Sequence, residues 1–292
     1  MKQATHDTFP EPLQRLIEAR HHDPFEVLGC HTEGNQSLVR VLLPRAKSVI
    51  LLETSQVLQR IEGTDIFEGR FTDPIPDCYQ LAWEDEFGQR HQHYDPYCFP
   101  PQLAEFDLHL FGEGRHRHAY RFLGAHPHQV DGIAGMLFAV WAPNAARVSV
   151  VGDFNQWDGR VHPLRVRGGC GIWELFIPGL QLGAIYKFEI RSNAGDTSLR
   201  TDPYGNHFQL RPETAGIAIA GDRFTWDDAE WLSTREQTNW QQAPMSTYEV
   251  HLGSWQRDEE GNFLNYRELA HRLCEHAKST GFTHIELLPI TE

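Results

Sequence analysis

Val41-Leu42-Leu43-Pro44-Arg45-Ala46-Lys47-Ser48-Val49 is answered 99 residues later by Val140-Trp141-Ala142-Pro143-Asn144-Ala145-Ala146-Arg147-Val148. Each copy is an apolar run, a proline-bearing turn and the start of a second apolar run, so the chain carries an internal repeat built from β-strands. Toward the N-terminus, Leu28-Gly29-Cys30-His31 recurs as Leu123-Gly124-Ala125-His126 at an offset of 95. Toward the C-terminus, Tyr79-Gln80-Leu81-Ala82 matches Tyr186-Lys187-Phe188-Glu189, and Tyr94-Asp95-Pro96-Tyr97 matches Thr201-Asp202-Pro203-Tyr204, both at an offset of 107. The drift of 12 accumulates between the matched blocks, where loops accept insertions at little entropic cost. In the second copy, Leu137-Phe138-Ala139-Val140-Trp141, Val148-Ser149-Val150-Val151, Ile172-Trp173-Glu174-Leu175-Phe176-Ile177 and Tyr186-Lys187-Phe188-Glu189-Ile190 read as strands. Gly152, Gly168-Gly169, Pro178-Gly179 and Asn193-Ala194-Gly195 punctuate them, and no helical pattern intervenes, which predicts a β-sandwich of about 100 residues. Ahead of the first copy, Leu13, Leu16 and Ile17 predict a short amphipathic helix over 12–20.

Composition narrows the function classes. The 292 residues carry 40 Asp and Glu against 26 Lys and Arg, a formal net charge of −14, and an acidic surface without clustered cations repels nucleic acid. No apolar run approaches the roughly 20 residues of a membrane helix, and the first seven residues lack a signal-peptide core, so the expectation is a cytoplasmic protein with neither nucleic-acid nor membrane partners. The five cysteines form no C-x-x-C and are odd in number, so free thiols are expected rather than a disulfide framework or zinc ribbon. Histidine is abundant at 17 and locally paired in His21-His22, His91-x-His93, His116-x-His118 and His126-x-His128. None of these pairs has a third ligand at metal spacing, so neither a metal nor any other cofactor is expected.

From Trp226 the pattern changes. Residues 226–246 are polar, rich in Gln and dotted with Trp, and read as a connecting segment whose tryptophans pack on neighbours. Thr247-Tyr248-Glu249-Val250-His251-Leu252 then reads as a strand. Asn265 with Glu268 signals a helix N-terminus; Leu269, Leu273 and Ala277 recur on one face, and Gly281 stops the helix. His284-Ile285-Glu286-Leu287-Leu288-Pro289 is a second strand, giving one βαβ unit and hence a parallel strand pair.

The stretch Tyr248-Glu249-Val250-His251-Leu252-Gly253-Ser254-Trp255, with Tyr266-Arg267-Glu268-Leu269-Ala270 and Gly281-Phe282-Thr283-His284-Ile285-Glu286-Leu287-Leu288-Pro289-Ile290, resembles the opening of the catalytic barrel of bacterial glycogen branching enzymes, members of the α-amylase superfamily. Phe138-Ala139-Val140-Trp141-Ala142-Pro143-Asn144-Ala145 and Val150-Val151-Gly152-Asp153-Phe154-Asn155-Gln156-Trp157-Asp158-Gly159 resemble the immunoglobulin-like, glycogen-binding module that precedes such barrels. The fold class this implies is mainly β. Two immunoglobulin-like β-sandwich modules occupy 1–112, with the short N-terminal helix, and 113–225; a linker covers 226–246, and 247–292 form the first βαβ unit of an incomplete (β/α)8 barrel. The resemblance implies cleavage of α-1,4-glucan and rejoining of the segment through an α-1,6 bond, with glycogen as partner. It also implies catalytic carboxylates on later strands, so none is assigned in this chain, and Glu286 and Glu292 are not conscripted. A non-catalytic glycogen-binding or scaffolding protein, and a debranching or trehalose-releasing sibling, are the alternatives. The tandem of two copies and the wording His251-Leu252-Gly253-Ser254-Trp255 favour branching.

The candidate carbohydrate-binding residues are Trp157 and Asn155. An indole offers a flat apolar face for the C–H side of a sugar ring, and an adjacent amide offers hydrogen bonds to hydroxyls. Packing of Trp157 against the barrel or the sister module is the competing reading. In related modules a second aromatic just before the Thr-Asp-Pro corner completes the platform; here Leu199-Arg200 stand there, and the first copy has Leu51-Leu52-Glu53-Thr54-Ser55 in place of the Trp157 segment. Asp95-Pro96-Tyr97 and Asp202-Pro203-Tyr204 read as turn-forming structural corners.

Overall fold

In the computed structural model, which describes residues 9–221 and 224–290, the chain forms two compact units that correspond to those two ranges. The first unit opens with helix α1 (Glu11–Ile17), which has a proline in its first turn and buries Leu13 and Leu16. The helix is shorter than the 12–20 expected because Ala19 adopts a left-handed conformation, φ 51°.

Seven strands follow: β1 (Gly29–Glu33), β2 (Gln36–Leu42), β3 (Ala46–Leu51), β4 (Gln56–Arg60), β5 (Ile66–Phe71), β6 (Gln80–Asp85) and β7 (Arg90–Tyr94). They form one antiparallel sheet in the order β1-β2-β5-β4-β3-β6-β7 rather than two separate layers. Strand β4 is the corner: its first half pairs with β3 through Gln56 to Leu58, and its second half pairs with β5 through Gln59 and Arg60. A strand that changes partners along its length lets one sheet enclose its own core. Val39 and Val41 of β2, Val49 and Leu51 of β3, Leu58 of β4 and Leu81 of β6 meet in that core, their period of two being the pleat of each strand.

Helix α2 (Glu105–Gly112) joins this sheet to the second module, which comprises β8 (Gly124–Val130), β9 (Ile133–Trp141), β10 (Ala145–Gly152), β11 (Arg165–Arg167), β12 (Ile172–Pro178), β13 (Ile185–Ser192), β14 (Thr197–Arg200) and β15 (Gly216–Ile217). Here there are two sheets, one ordered β11-β12-β9-β8, the other β10-β13-β14 with β15 also on β13. Phe138 and Val140, Val148 and Val150, Trp173 and Leu175, and Tyr186 and Phe188 fill the space between them. Their neighbours Leu137, Ala139, Ile172 and Phe176 are equally buried on the outer face, under Leu103, Leu108 and Phe122 from α2 and its flanks. Burial on both faces explains why β9 and β12 read as continuous apolar runs instead of alternating ones.

The repeat is visible atom by atom. Tyr79 donates its hydroxyl to Asp95 Oδ2 at 2.5 Å, and Tyr186 donates to Asp202 Oδ2 at 2.5 Å. The second carboxylate oxygen of each aspartate accepts from the backbone two residues on, Tyr97 N at 3.0 Å and Tyr204 N at 2.8 Å. Both aspartates are buried, and burial pushes the Asp95 carboxyl up to about 6 and that of Asp202 in the same direction. Gly29 and Gly124 stand at φ 93° and 109° beneath these corners; a Cβ would come within 2.6 Å of Tyr97 O at the first and 3.2 Å of Tyr204 O at the second. His31 and His126 bond the carbonyls of Leu28 and Leu123 at 3.0 and 2.9 Å.

The chain between the modules is clamped. Glu174, almost wholly buried, accepts from the backbone N–H of Gln102 (3.1 Å) and Leu103 (2.9 Å) and from Arg167 (2.5 Å), which also reaches Glu105 (2.6 Å). Arg165 donates to Phe99 O at 2.6 Å and lies 3.1 Å over the centre of the Phe25 ring. A buried carboxylate so supplied with donors holds its geometry because losing any one of them leaves charge in a low-dielectric site.

In the second unit, helix α3 (Ala229–Gln237) buries no residue. The tryptophans expected to pack stand more than half exposed instead: Trp226 69%, Trp231 58% and Trp240 52%. Strand β16 (Thr247–Val250) stops short of the expected Leu252, because Leu252–Trp255 turn into a single helical turn, α4. Helix α5 (Tyr266–Thr280) starts with reciprocal caps: Asn265 Oδ1 accepts from Arg267 N and Glu268 N at 3.0 Å, and Glu268 accepts from Asn265 N at 3.2 Å. It buries Leu269, Leu273 and Ala277 and ends at Gly281, φ 82°. Strand β17 (His284–Leu287) pairs with β16 in parallel, Thr247 opposite His284 and Val250 opposite Leu287.

Candidate functional site

Strand β10 ends in a tight turn that presents Trp157. Gly152 is required at its start, since a Cβ there would lie 2.1 Å from Ile185 O. After the 3-10 turn Asp153–Asn155, both Gln156 (φ 56°) and Trp157 (φ 61°) are left-handed. Such conformations cost residues with a Cβ about 1–2 kcal/mol each, so other bonds must hold them.

Asn155 supplies those bonds. Its Oδ1 accepts from Gly152 N at 2.9 Å, while its Nδ2 donates to Val150 O and to His162 Nδ1, each at 2.9 Å. Trp157 N returns to Gly152 O at 2.9 Å. His162 is buried, which holds its imidazole down at about 3 and therefore neutral, the form able to accept the Asn155 amide proton. The structure thus brings Asn155 and Trp157 into one turn but turns the amide inward, where it is 7% exposed and fully engaged. The expectation that Asn155 meets sugar hydroxyls is corrected: its bonds position the turn. Gln156, by contrast, is exposed: its backbone N–H donates to Asp153 O at 3.3 Å, while its side-chain amide has no hydrogen-bond partner among the described residues. A sequence motif does not show this, because two successive left-handed residues reverse which side chains point out.

The indole of Trp157 is 36% exposed and is held by Nε1 donating to Asp153 Oδ1 at 2.8 Å. An oriented, solvent-facing ring of this kind can cover the apolar face of a flat ligand. Just before the Thr201-Asp202-Pro203 corner, Leu199 on β14 is 50% exposed and Arg200 is exposed too.

The other candidates have local partners. His91 bonds Asp85 at 2.9 Å and His116 bonds Asp107 at 2.8 Å. Among the described residues no group of three or more His, Cys, Asp or Glu side chains is placed to hold a metal ion, and all five cysteines are free. Glu286 is an exposed residue of β17 opposite Glu249; Glu292 and the first seven residues lie outside the described residues. Among the described residues, no helix is long and apolar enough to cross a membrane.

Comparison with known proteins adds the following. Residues 10–97 match the N-terminal domain of the alpha-1,4-glucan branching enzyme GlgB, and residues 122–205 match carbohydrate-binding module 48, the isoamylase N-terminal domain. The chain is 57% identical over 282 residues to the 1,4-alpha-glucan branching enzyme GlgB of Methylococcus capsulatus, covering 96% of this chain and 38% of that protein. The enzymes of the same name from Cellvibrio japonicus and Nitrosococcus oceani are 54% and 53% identical, each over 97% of this chain and over 40% and 38% of their own lengths. The chain therefore spans about two fifths of the length of the curated relatives it matches.

Proposed function

The chain belongs to the 1,4-alpha-glucan branching enzyme family, and on that premise we propose that it is the glucan-holding part of an enzyme that cleaves an α-1,4-glucan and rejoins the segment through an α-1,6 bond in glycogen. The single observation that carries the binding half of this reading is Trp157, an exposed indole fixed by Asp153 on a turn that Asn155 braces from within, inside the module that matches a carbohydrate-binding family. In the reading adopted, 1–112 and 113–225 are the two modules, 226–246 the linker, and 247–292 the first βαβ unit of a (β/α)8 catalytic barrel. The parallel register of β16 and β17 with α5 between them supports that last assignment, since barrels are built from such units. Transfer with retention needs two carboxylates about 5–5.5 Å apart at strand ends, and we assign them to strands that would follow β17. On the same premise we propose a cytoplasmic location for the protein.

Stacking ~50–100 Å² of apolar sugar face on the indole contributes ~1–2.5 kcal/mol before desolvation and ordering costs. Trp157→Ala is accordingly expected to weaken retention in a glycogen-containing native gel by about fivefold, while mobility in a plain gel stays the same. Unchanged retention would leave Trp157 with a packing role only.

A further inference from the structure

Gln156 and Asp158, the residues on either side of Trp157, both line a cleft of about 120 Å³ whose facing wall belongs to the first module. That wall includes Arg45, Asp85 and Phe87. Phe87 is 79% exposed at the tip of the hairpin joining β6 to β7. Its ring makes no aromatic pairing among the described residues, yet its backbone is held: Asp85 Oδ1 accepts from Phe87 N and from Gln89 N, both at 2.9 Å, and Gly88 takes the left-handed place, φ 82°. A large apolar ring kept in water on a rigid tip has a use when a ligand covers it.

The charges narrow the ligand. Asp85 and Asp158 face the cleft with Arg45, so a strongly anionic or cationic ligand meets a like charge. Both carboxylates are already supplied with donors, Asp85 by its hairpin and by His91, and Asp158 by Arg160 at 2.7–3.2 Å. The guanidinium of Arg45, whose nearest acid is Glu86 at 3.8 Å, and the unpartnered amide of Gln156 are the groups left to bond a newcomer. One aromatic face with neutral and cationic donors beside it suits a neutral polyhydroxyl chain.

We infer that this cleft binds a further stretch of the α-1,4-glucan that stacks on Trp157, with Phe87 of the first module supplying a second exposed aromatic ring. The inference rests on the proposed function, which it deepens: the glucan site is shared between the two copies of the repeat.

Titration of the 292-residue protein with maltoheptaose by isothermal calorimetry tests it. Phe87→Ala is expected to raise Kd about fivefold, with the melting temperature nearly unchanged because the residue is 79% exposed. Arg45→Met, which removes a donor and leaves the hairpin intact, should raise it about threefold. Phe106→Ala, at another exposed ring, on α2, that does not line the cleft, should leave Kd unchanged. If Trp157→Ala weakens binding while Phe87→Ala and Arg45→Met do not, the shared cleft is wrong and the Trp157 reading stands. If Phe87→Ala and Arg45→Met weaken binding and Trp157→Ala does not, the cleft stands and the Trp157 platform falls. Equal losses from Phe87→Ala and Phe106→Ala would mean nonspecific apolar adhesion and overturn the cleft.

Discussion

His162 Nδ1 accepts a hydrogen bond from Asn155 Nδ2 at 2.9 Å in a buried site, which ties the shape of the Trp157 turn to the charge state of one imidazole. Burial holds His162 at about 3 in the folded protein, against its ordinary value of 6.5, with the half-buried His93 adding a lesser like-charge effect. A base whose folded-state value is depressed contributes stability that is complete above the unfolded value and is lost as pH falls below it.

Between pH 7 and pH 5 the folded protein should therefore lose ~2 kcal/mol through this residue. Urea denaturation at the two pH values, compared with His162→Gln, reads the effect. Parallel pH trends in the two proteins would show that His162 protonates without cost.

Asp95 works in the opposite direction. Its folded-state value is raised from 3.8 to about 6, so its contribution is complete below the unfolded value and is lost as pH rises through the folded one. Relative to Asp95→Asn, the protein should lose ~3 kcal/mol of stability between pH 3.5 and pH 7. A difference that stays constant across this range, measured by thermal melts, would refute the shift.

Alanine at the two repeat glycines should be unequally harmful. At Gly29 the new Cβ would sit 2.6 Å from Tyr97 O, and at Gly124 3.2 Å from Tyr204 O, with positive φ at both. Gly29→Ala is expected to cost ~3 kcal/mol or more and Gly124→Ala ~1–2 kcal/mol. Chemical denaturation of the two variants checks the order, and the reverse order would contradict the geometry.

The 292-residue chain by itself is expected to form no α-1,6 bonds from amylose, because we assign its carboxylates no catalytic role. New α-1,6 signals in the NMR spectrum of treated amylose would show that assignment to be mistaken. Limited proteolysis should cut between about Trp226 and Gly261, where α3 buries nothing, and leave residues 9–221 resistant.

What could be read from the sequence was what local chemistry writes into residue type. Gly29 and Gly124, Asp95 and Asp202, and the Asn265 cap each satisfy backbone groups within a few residues, so their spacing carries the structure. The change of partners along β4 is set by which strands reach it from far along the chain, and Gln56 to Arg60 look like any short strand. The site divided in the same way. Trp157 was legible as a ring in a turn, whereas the inward rotation of Asn155 and the outward one of Gln156 follow from two left-handed residues that no glycine announces. Phe87, which fits no motif, stands out only once its exposure is known.

Leu13 and Leu16 of α1 belong to the same apolar cluster as Phe138, Trp173 and Phe188 of the second module. That membership sets a schedule for synthesis. The helix leaves the ribosome before the second module, and the cluster it joins lacks Tyr186 and Phe188 until β13 has followed it out. At ~5–20 residues per second the interval is ~10–35 s, during which the two leucines lack their final surroundings and depend on whatever else will cover them. A nascent chain stalled within β12 should therefore bind a chaperone that the same chain, released past β13, no longer needs.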